Sequence, residues 1–166
     1  LRTTPLLNGL EAISYNLRRK QQNLRLFELA RTYQQNGDAN AEHDVLSLFL
    51  TGKYHEPTWY QAAAEVDLYY LKGIVHNLLQ ASGVADWQTA ETRNAELADG
   101  LVLSTQGKEM ASLGSVSPGI LKAFDIRQPV LYARLDLDFL KALYQHSAPS
   151  FRPISKFPQI ERDIAV

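Results

Sequence analysis

Apolar residues recur at two periods along this chain, and the switches between them mark out its elements. Leu6, Leu7, Leu10, Ile13 and Leu17 fall at helical spacing and predict a helix over 5–20 with one apolar stripe. Thr4 stands before Pro5 as a cap, with proline in the first turn. Arg18, Arg19 and Lys20 are expected in the last turn, where cations complement the helix dipole. The period then drops to two. Over 24–34 one strand face carries Leu24, Leu26, Glu28, Ala30 and Thr32, and the other carries Arg25, Phe27, Leu29, Arg31 and Tyr33. Neither set is wholly polar, so the strand is expected to be covered on both sides. A turn-forming stretch over 34–40 follows. Val45, Leu46, Leu48, Phe49 and Leu50 then make a second strand over 43–51, expected to close an antiparallel hairpin with the first.

Residues 52–64 read as a loop holding two aromatics, Trp59 and Tyr60. Helical spacing returns over 66–82 with Leu68, Leu71, Val75, Leu78 and Leu79 on one face, and Gly83 is the expected stop. Three strands are predicted near 87–91, 100–105 and 109–116, the last two joined by a turn at Gln106-Gly107-Lys108. Ser117-Pro118 opens a short helix to Phe124. A strand is expected over 129–135, then a helix to Gln145 capped by Asp136 or Asp138. Strands outnumber helices and several are joined by hairpins. The expected class is therefore α+β, an antiparallel sheet with helices packed on it. Near the end, Pro153 and Pro158 each remove a donor and bias the preceding residue away from helix. That stretch reads as an extended connector, and Ile160 to Val166 as the beginning of a further element in a longer protein.

Composition narrows the picture. The chain has 166 residues, 45% of them hydrophobic and 21% charged, enough for one domain with a full core. Its formal net charge is -1, so any contact with nucleic acid has to be local rather than a global field. There is no cysteine, which excludes disulfides, zinc-thiolate sites and thiol nucleophiles. The first residue is Leu1, so a boundary inside a longer chain is expected at that end too. No signal peptide and no apolar run near the roughly 18 residues of a membrane helix is legible, and a cytoplasmic location is expected.

Candidate chemistry is sparse. Glu42, His43 and Asp44 are adjacent on a strand, so their side chains alternate between faces and all three cannot converge. His55, His76 and His146 lack metal-ligand spacing, and no metal is assigned. Ser104, Ser112, Ser115 and Ser117 lie in no nucleophile-elbow pattern. Residues 114–119 are too short and wrongly placed for a phosphate loop. Trp59 and Tyr60 either pack over their own domain or anchor a partner. Phe27, Arg31 and Tyr33 share one strand face and join them as candidates for a subunit interface. Arg18, Arg19 and Lys20 are the candidates for an RNA backbone contact, against the plainer reading of a solvated helix end.

Several phrases carry a resemblance. Pro153-Ile-Ser-Lys-Phe-Pro158 followed by Arg162-Asp-Ile-Ala165 resembles the start of the C-terminal anticodon-binding domain of bacterial phenylalanyl-tRNA synthetase beta subunits. Leu1-Arg-Thr-Thr4, with Gly9-Leu-Glu-Ala-Ile-Ser-Tyr-Asn-Leu-Arg-Arg19, resembles the beginning of that family's catalytic-like module. Leu26-Phe-Glu-Leu-Ala-Arg-Thr-Tyr33 resembles its Leu-Phe-Glu-hydrophobic-Gly-Arg-x-Phe/Tyr strand. Asp67-Leu-Tyr-Tyr-Leu-Lys-Gly73 resembles its Asp-Phe-x-Asp-Leu-Lys-Gly helix start, and Leu113-Gly-Ser-Val-Ser-Pro118 its Gly-x-hydrophobic-His-Pro turn. The phrases run in family order across nearly the whole chain. Ala30, Tyr70 and Ser117 depart from the pattern, and the stretch over 87–101 matches poorly.

The resemblance implies a class II synthetase-like core over 1–146, a connector over 147–158 and the start of the anticodon-binding domain over 159–166. It also implies a degenerate copy without catalysis. Class II enzymes hold ATP with arginines and a glycine-rich strand leading into a helix. The corresponding step here, Leu131 to Leu140, lacks that pattern and places Asp136 and Asp138 where triphosphate would be repelled. The implied function is a scaffold for the catalytic alpha subunit in a heterotetramer of two alpha and two beta chains that acylates tRNA(Phe). ATP and Mg are expected for that whole enzyme, with no catalytic and no cofactor-binding residue in this chain. The alternative is a stand-alone enzyme or small-ligand module on a synthetase-like sheet. A direct tRNA-binding module is a weaker third reading.

Overall fold

The computed structural model describes residues 4–36 and 39–146. The connector and new element expected over 147–166 lie outside the described residues, as do Leu1 to Thr3 of the first family phrase.

Among the described residues eight strands and four helices follow in the order α1 (Leu6–Leu17), β1 (Leu24–Asn36), β2 (Ala39–Thr51), β3 (Lys53–His55), β4 (Ala64–Glu65), α2 (Leu68–Ala81), β5 (Gln88–Thr92), β6 (Leu97–Thr105), β7 (Lys108–Val116), α3 (Pro118–Ala123), β8 (Val130–Asp136) and α4 (Leu137–His146). Six strands form one sheet in the order β1-β2-β8-β7-β6-β5, and every neighbouring pair is antiparallel. The α+β class expected from the sequence is the one found.

Alternation along the strands sends side chains to two cores. On one face Leu50, Leu103, Leu113, Leu131, Ala133 and Leu135 pack under α2 and α4 through Leu71, Val75, Leu79 and Leu140. On the other, Phe49, Val130 and Tyr132 meet Leu6, Leu10 and Ile13 of α1 and Leu121 of α3. The rings of Phe49 and Tyr132 lie 5.1 Å apart. Gly9 lets α1 settle directly on the Phe49 ring, which occupies the space a Cβ there would need.

Local chemistry sets the element ends. Asp67 accepts a hydrogen bond from the Tyr70 backbone N–H at 2.7 Å, starting α2, and Gly83 stops it at φ 78. Gln106 and Gly107 both have positive φ, as a two-residue hairpin turn with the sheet's own twist requires.

Three expectations need correction. β1 is an edge strand, with β2 as its one neighbour in the sheet, and the face carrying Arg25, Phe27, Leu29 and Arg31 is exposed, although Arg25 donates to the Tyr70 hydroxyl of α2 at 3.4 Å. Residues 52–64 are not all loop, since β3 and the first residue of β4 fall there, and β3 and β4 pair as a small separate sheet. Arg18, Arg19 and Lys20 lie beyond α1, which ends at Leu17 with Arg18 as its cap residue. The chain turns there, with Lys20 at φ 66, so these cations are not in a last helical turn. Among the described residues no helix is long and apolar enough to cross a membrane.

Candidate functional site

The place to look for chemistry is the step from β8 into α4, beside the open rows of the sheet. Register aligns Glu28, Ser47, Arg134, Ser112 and Val102 in one row across five strands. This row adjoins the buried row of Phe49 and Tyr132, whose hydroxyl meets the Ser47 hydroxyl at 3.2 Å. Burial pushes the Tyr132 phenol up from its usual range, against the opposing pull of that hydrogen bond. Arg134 borders a depression of about 210 Å³ together with Glu109, Met110, Ala111 and Asp136, so two carboxylates flank the one cation.

Asp136 and Asp138 already have partners. The Asp136 carboxylate accepts from the Phe139 backbone N–H at 2.9 Å, making Asp136 rather than Asp138 the cap of α4. Asp138 reaches across to accept from the Asp44 backbone N–H at 2.9 Å and pairs with Lys141 at 3.8 Å. Asp136 therefore caps α4 and Asp138 ties that helix to β2, and their charge disfavours a polyphosphate there.

Arg31 does not join Arg134. Strand alternation sends it to the opposite face, where it pairs with Glu42 and Asp44, each at 3.1 Å. Lys141 reaches the same Asp44 at 2.9 Å. Hydrogen bonds from Lys141 and then Arg31 hold the Asp44 carboxyl below its usual range. The bond to Asp44 in turn raises the Arg31 guanidinium and the Lys141 ammonium. Glu42 and Asp44 share that face, whereas His43 lies opposite Thr32 on the other, as strand alternation requires. Among the described residues no three His, Asp or Glu side chains gather as a metal site.

The interface candidates fall in two places. Phe27 is 72% exposed, and its neighbour two residues on, Leu29, is 65% exposed. With Arg31 and half-buried Tyr33 they make one outward strip on the edge strand. Leu29 belongs to this strip but does not stand out in the sequence, where a leucine in a strand reads as core. Trp59 and Tyr60 sit in the segment between β3 and β4, edge to face at 5.1 Å. Trp59 is 95% exposed, so it does not pack over its own domain. Beyond α1, Arg19 donates to the Tyr15 carbonyl at 3.3 Å and lies 3.4 Å above the Tyr15 ring. Arg18 and Lys20 are exposed.

Comparison with known proteins gives one consistent answer. Residues 1–137 match the family described as the phenylalanyl tRNA synthetase beta chain CLM domain. The whole chain is 33% identical to the phenylalanine–tRNA ligase beta subunit of Streptococcus pneumoniae, covering 21% of that protein. It is 34% identical to the subunit of the same name from Bacteroides thetaiotaomicron, again over its full length and covering 22% of the relative. The chain thus spans about a fifth of the relatives it matches. Among solved structures, pyrrolysyl-tRNA synthetase from Desulfitobacterium hafniense superposes with a TM-score of 0.63 at 19% identity, over 87% of this chain and 50% of that one. A likeness at that identity shows the fold: the sheet is that of a tRNA synthetase core.

Proposed function

Because the chain belongs to the phenylalanyl-tRNA synthetase beta chain family through its CLM domain, we propose that it is a non-catalytic scaffold module of a phenylalanine–tRNA ligase. In this reading it supports a catalytic alpha subunit in a complex of two alpha and two beta chains. ATP and Mg act at the alpha subunit, tRNA(Phe) is the substrate of the assembled cytoplasmic enzyme, and this module supplies no cofactor ligand. The chain continues from this core through a connector over 147–158 into the start of an anticodon-binding domain at 159–166.

One observation carries the reading beyond family membership. At the β8–α4 step the two aspartates are spent on backbone N–H groups of Phe139 and Asp44, and the two arginines nearest in the sheet point to opposite faces. Stabilising a phosphoryl-bearing transition state needs positioned cations converging on one place. Here Arg31 is paired with Glu42 and Asp44, and Arg134, on the other face, shares its depression with Glu109 and Asp136. The exposed strip of Phe27, Leu29, Arg31 and Tyr33 supports docking of the alpha subunit on the β1 edge, with Trp59 and Tyr60 as a second anchor. Large apolar side chains left in water on an edge strand are a liability unless a partner covers them.

The test is substitution within the intact ligase. Arg134→Ala should leave phenylalanine-dependent ATP–pyrophosphate exchange essentially unchanged. A drop of about 10²-fold, the scale of losing one transition-state donor, would place a phosphate ligand in this module and favour the alternative of a self-sufficient enzyme.

A further inference from the structure

A cavity of about 530 Å³ opens between the start of β6, the end of β7 and the segment joining α3 to β8. Its volume lies within the roughly 300–1,000 Å³ of small-ligand sites. Val116, Leu121, Ile126 and Val130 form its floor, and all four are buried. Two backbone irregularities border it. β6 slips register between Leu97 and Asp99, so Ala98 is an extra residue without a partner on β7. Gly114 makes room for that bulge, since a Cβ there would meet the Asp99 carbonyl. Elsewhere on the wall Asp125 holds φ 57, a left-handed value that is uncommon outside glycine. Bulges and left-handed residues gather where a backbone is shaped around a site, and Ala98, Asp99 and Asp125 all line this cavity.

The rim carries an uneven balance of charge. Lys122 and Arg127 are exposed there, and among the described residues neither forms an ion pair. Asp99 is spent on Arg93 at 3.0 Å, which leaves Asp125 against two cations over an apolar floor. The Ser115 hydroxyl also borders the cavity, and among the described residues it has no hydrogen-bond partner. Other cations outside ion pairs stand differently. Arg134 borders a depression of about 210 Å³ in which two carboxylates, Glu109 and Asp136, oppose it. Lys108 lies over the Phe139 ring at 4.5 Å, and Lys72 borders neither depression. The rim is also held in place. The Gln128 side-chain amide donates to the Gln22 carbonyl at 2.8 Å and to the Thr51 hydroxyl at 2.7 Å. The Ile126 backbone N–H donates to the Leu121 carbonyl at 3.0 Å. Arg127 thus stands between two anchored neighbours, and the cavity keeps its shape without a guest.

We propose that this cavity binds a small monocarboxylate with an apolar body, an aliphatic or aromatic acid, whose chain lies on the floor and whose carboxylate meets Lys122 and Arg127. An apolar chain frees water from the floor, and a guanidinium suits a carboxylate by shape as well as charge. One cation in excess matches a monoanion, whereas Asp99 and Asp125 disfavour a polyanion. The sequence offers Ser115 only as a nucleophile without its pattern, and no motif marks Lys122 or Arg127. The cavity lies across β2 from β1, apart from the strip proposed for docking, so it stands or falls independently of the scaffold reading.

The experiment is an amide NMR titration of the chain with hexanoate, with hexanol and acetate supplying its apolar and anionic halves separately. Hexanoate should shift the amides of Ser115, Val116, Lys122, Ile126 and Arg127 together, with a dissociation constant on the order of 1 mM, the scale set by burying a few methylenes. Hexanol and acetate should each bind at least about fivefold more weakly. Lys122→Ala with Arg127→Ala should weaken hexanoate by about fivefold or more and leave hexanol as it was, and its thermal melt should match the parent because both side chains are exposed. Lys53→Ala with Lys141→Ala, an equal charge change away from the cavity, should leave hexanoate binding unchanged. The proposal is overturned if no amide around the cavity moves by about 50 mM hexanoate, or if hexanol or acetate binds as tightly. It is equally overturned if the Lys122 and Arg127 pair of substitutions titrates like the parent, or if the Lys53 and Lys141 pair weakens binding as much.

Discussion

Single side chains decide how closely the layers approach and how the surface charges are spent. Gly9 is the sharpest case. Any Cβ there would fall on the buried Phe49 ring, which is itself packed on Tyr132. Gly9→Ala should destabilise the fold by about 1–3 kcal/mol, the usual range for overpacking, read as a lowered denaturation midpoint. The ionic group around Asp44 behaves differently, because it is exposed and screened. Its lowered carboxyl value means a contribution present above the unfolded carboxylate range and lost as pH falls through the lower folded value. The raised values of Lys141 and Arg31 mean contributions present below their unfolded ranges and lost only as pH rises through the folded ones. Asp44→Asn should therefore lower Tm slightly at neutral pH. The gap from the parent should close in acid and shrink in high salt; a gap unchanged at pH 2 would show that Asp44 acts through something other than its charge. Little of this was legible beforehand. The sequence offers Glu42, Asp44 and Arg31 as charges on strands, but their pairing depends on hairpin register, and Lys141 arrives from almost a hundred residues away.

At the scale of elements, local signals served well where local chemistry sets the end. Gly83, the Gln106-Gly107 turn and the aspartate cap of α4 are all readable, because each satisfies backbone geometry within a few residues. The cap gives a direct check. Asp136→Ala should cost about 0.5–2 kcal/mol and raise amide exchange in the first turn of α4, while ATP-dependent activity of the ligase stays as it was. Strand β1 shows where such reading stops. Its mixed faces suggested burial on both sides, yet whether a strand lies at an edge depends on which strands pair across the whole sheet. The short β3–β4 pair was hidden for a related reason. Two or three residues per strand carry no period, and only their meeting makes them a sheet. Arg18 to Lys20 looked helical because the basic run follows the stripe directly, but the chain turns at Lys20 instead.

For the whole molecule, the sheet order β1-β2-β8-β7-β6-β5 and its two helical layers reproduce a synthetase core in which, among the described residues, Arg31 and Arg134 point to opposite faces. The fold class and the family were both legible, since strand periodicity and five ordered phrases spread along the chain. The candidate surfaces were legible only in part. Phe27, Arg31, Tyr33, Trp59 and Tyr60 stand out in the sequence, but the exposure that marks Phe27 and Trp59 as interface candidates depends on what the other elements fail to cover. The central claim is that this module is a docking scaffold with no activation chemistry of its own. The measurement that tests it most directly is sedimentation velocity of the chain mixed with the catalytic alpha subunit, for the parent and for Phe27→Glu with Leu29→Glu. The account predicts a complex with the parent, its loss in the variant, and identical melting of the two chains alone, because both side chains stand in water. A complex that survives the double substitution would contradict the docking surface, and no complex with the parent would contradict the scaffold itself.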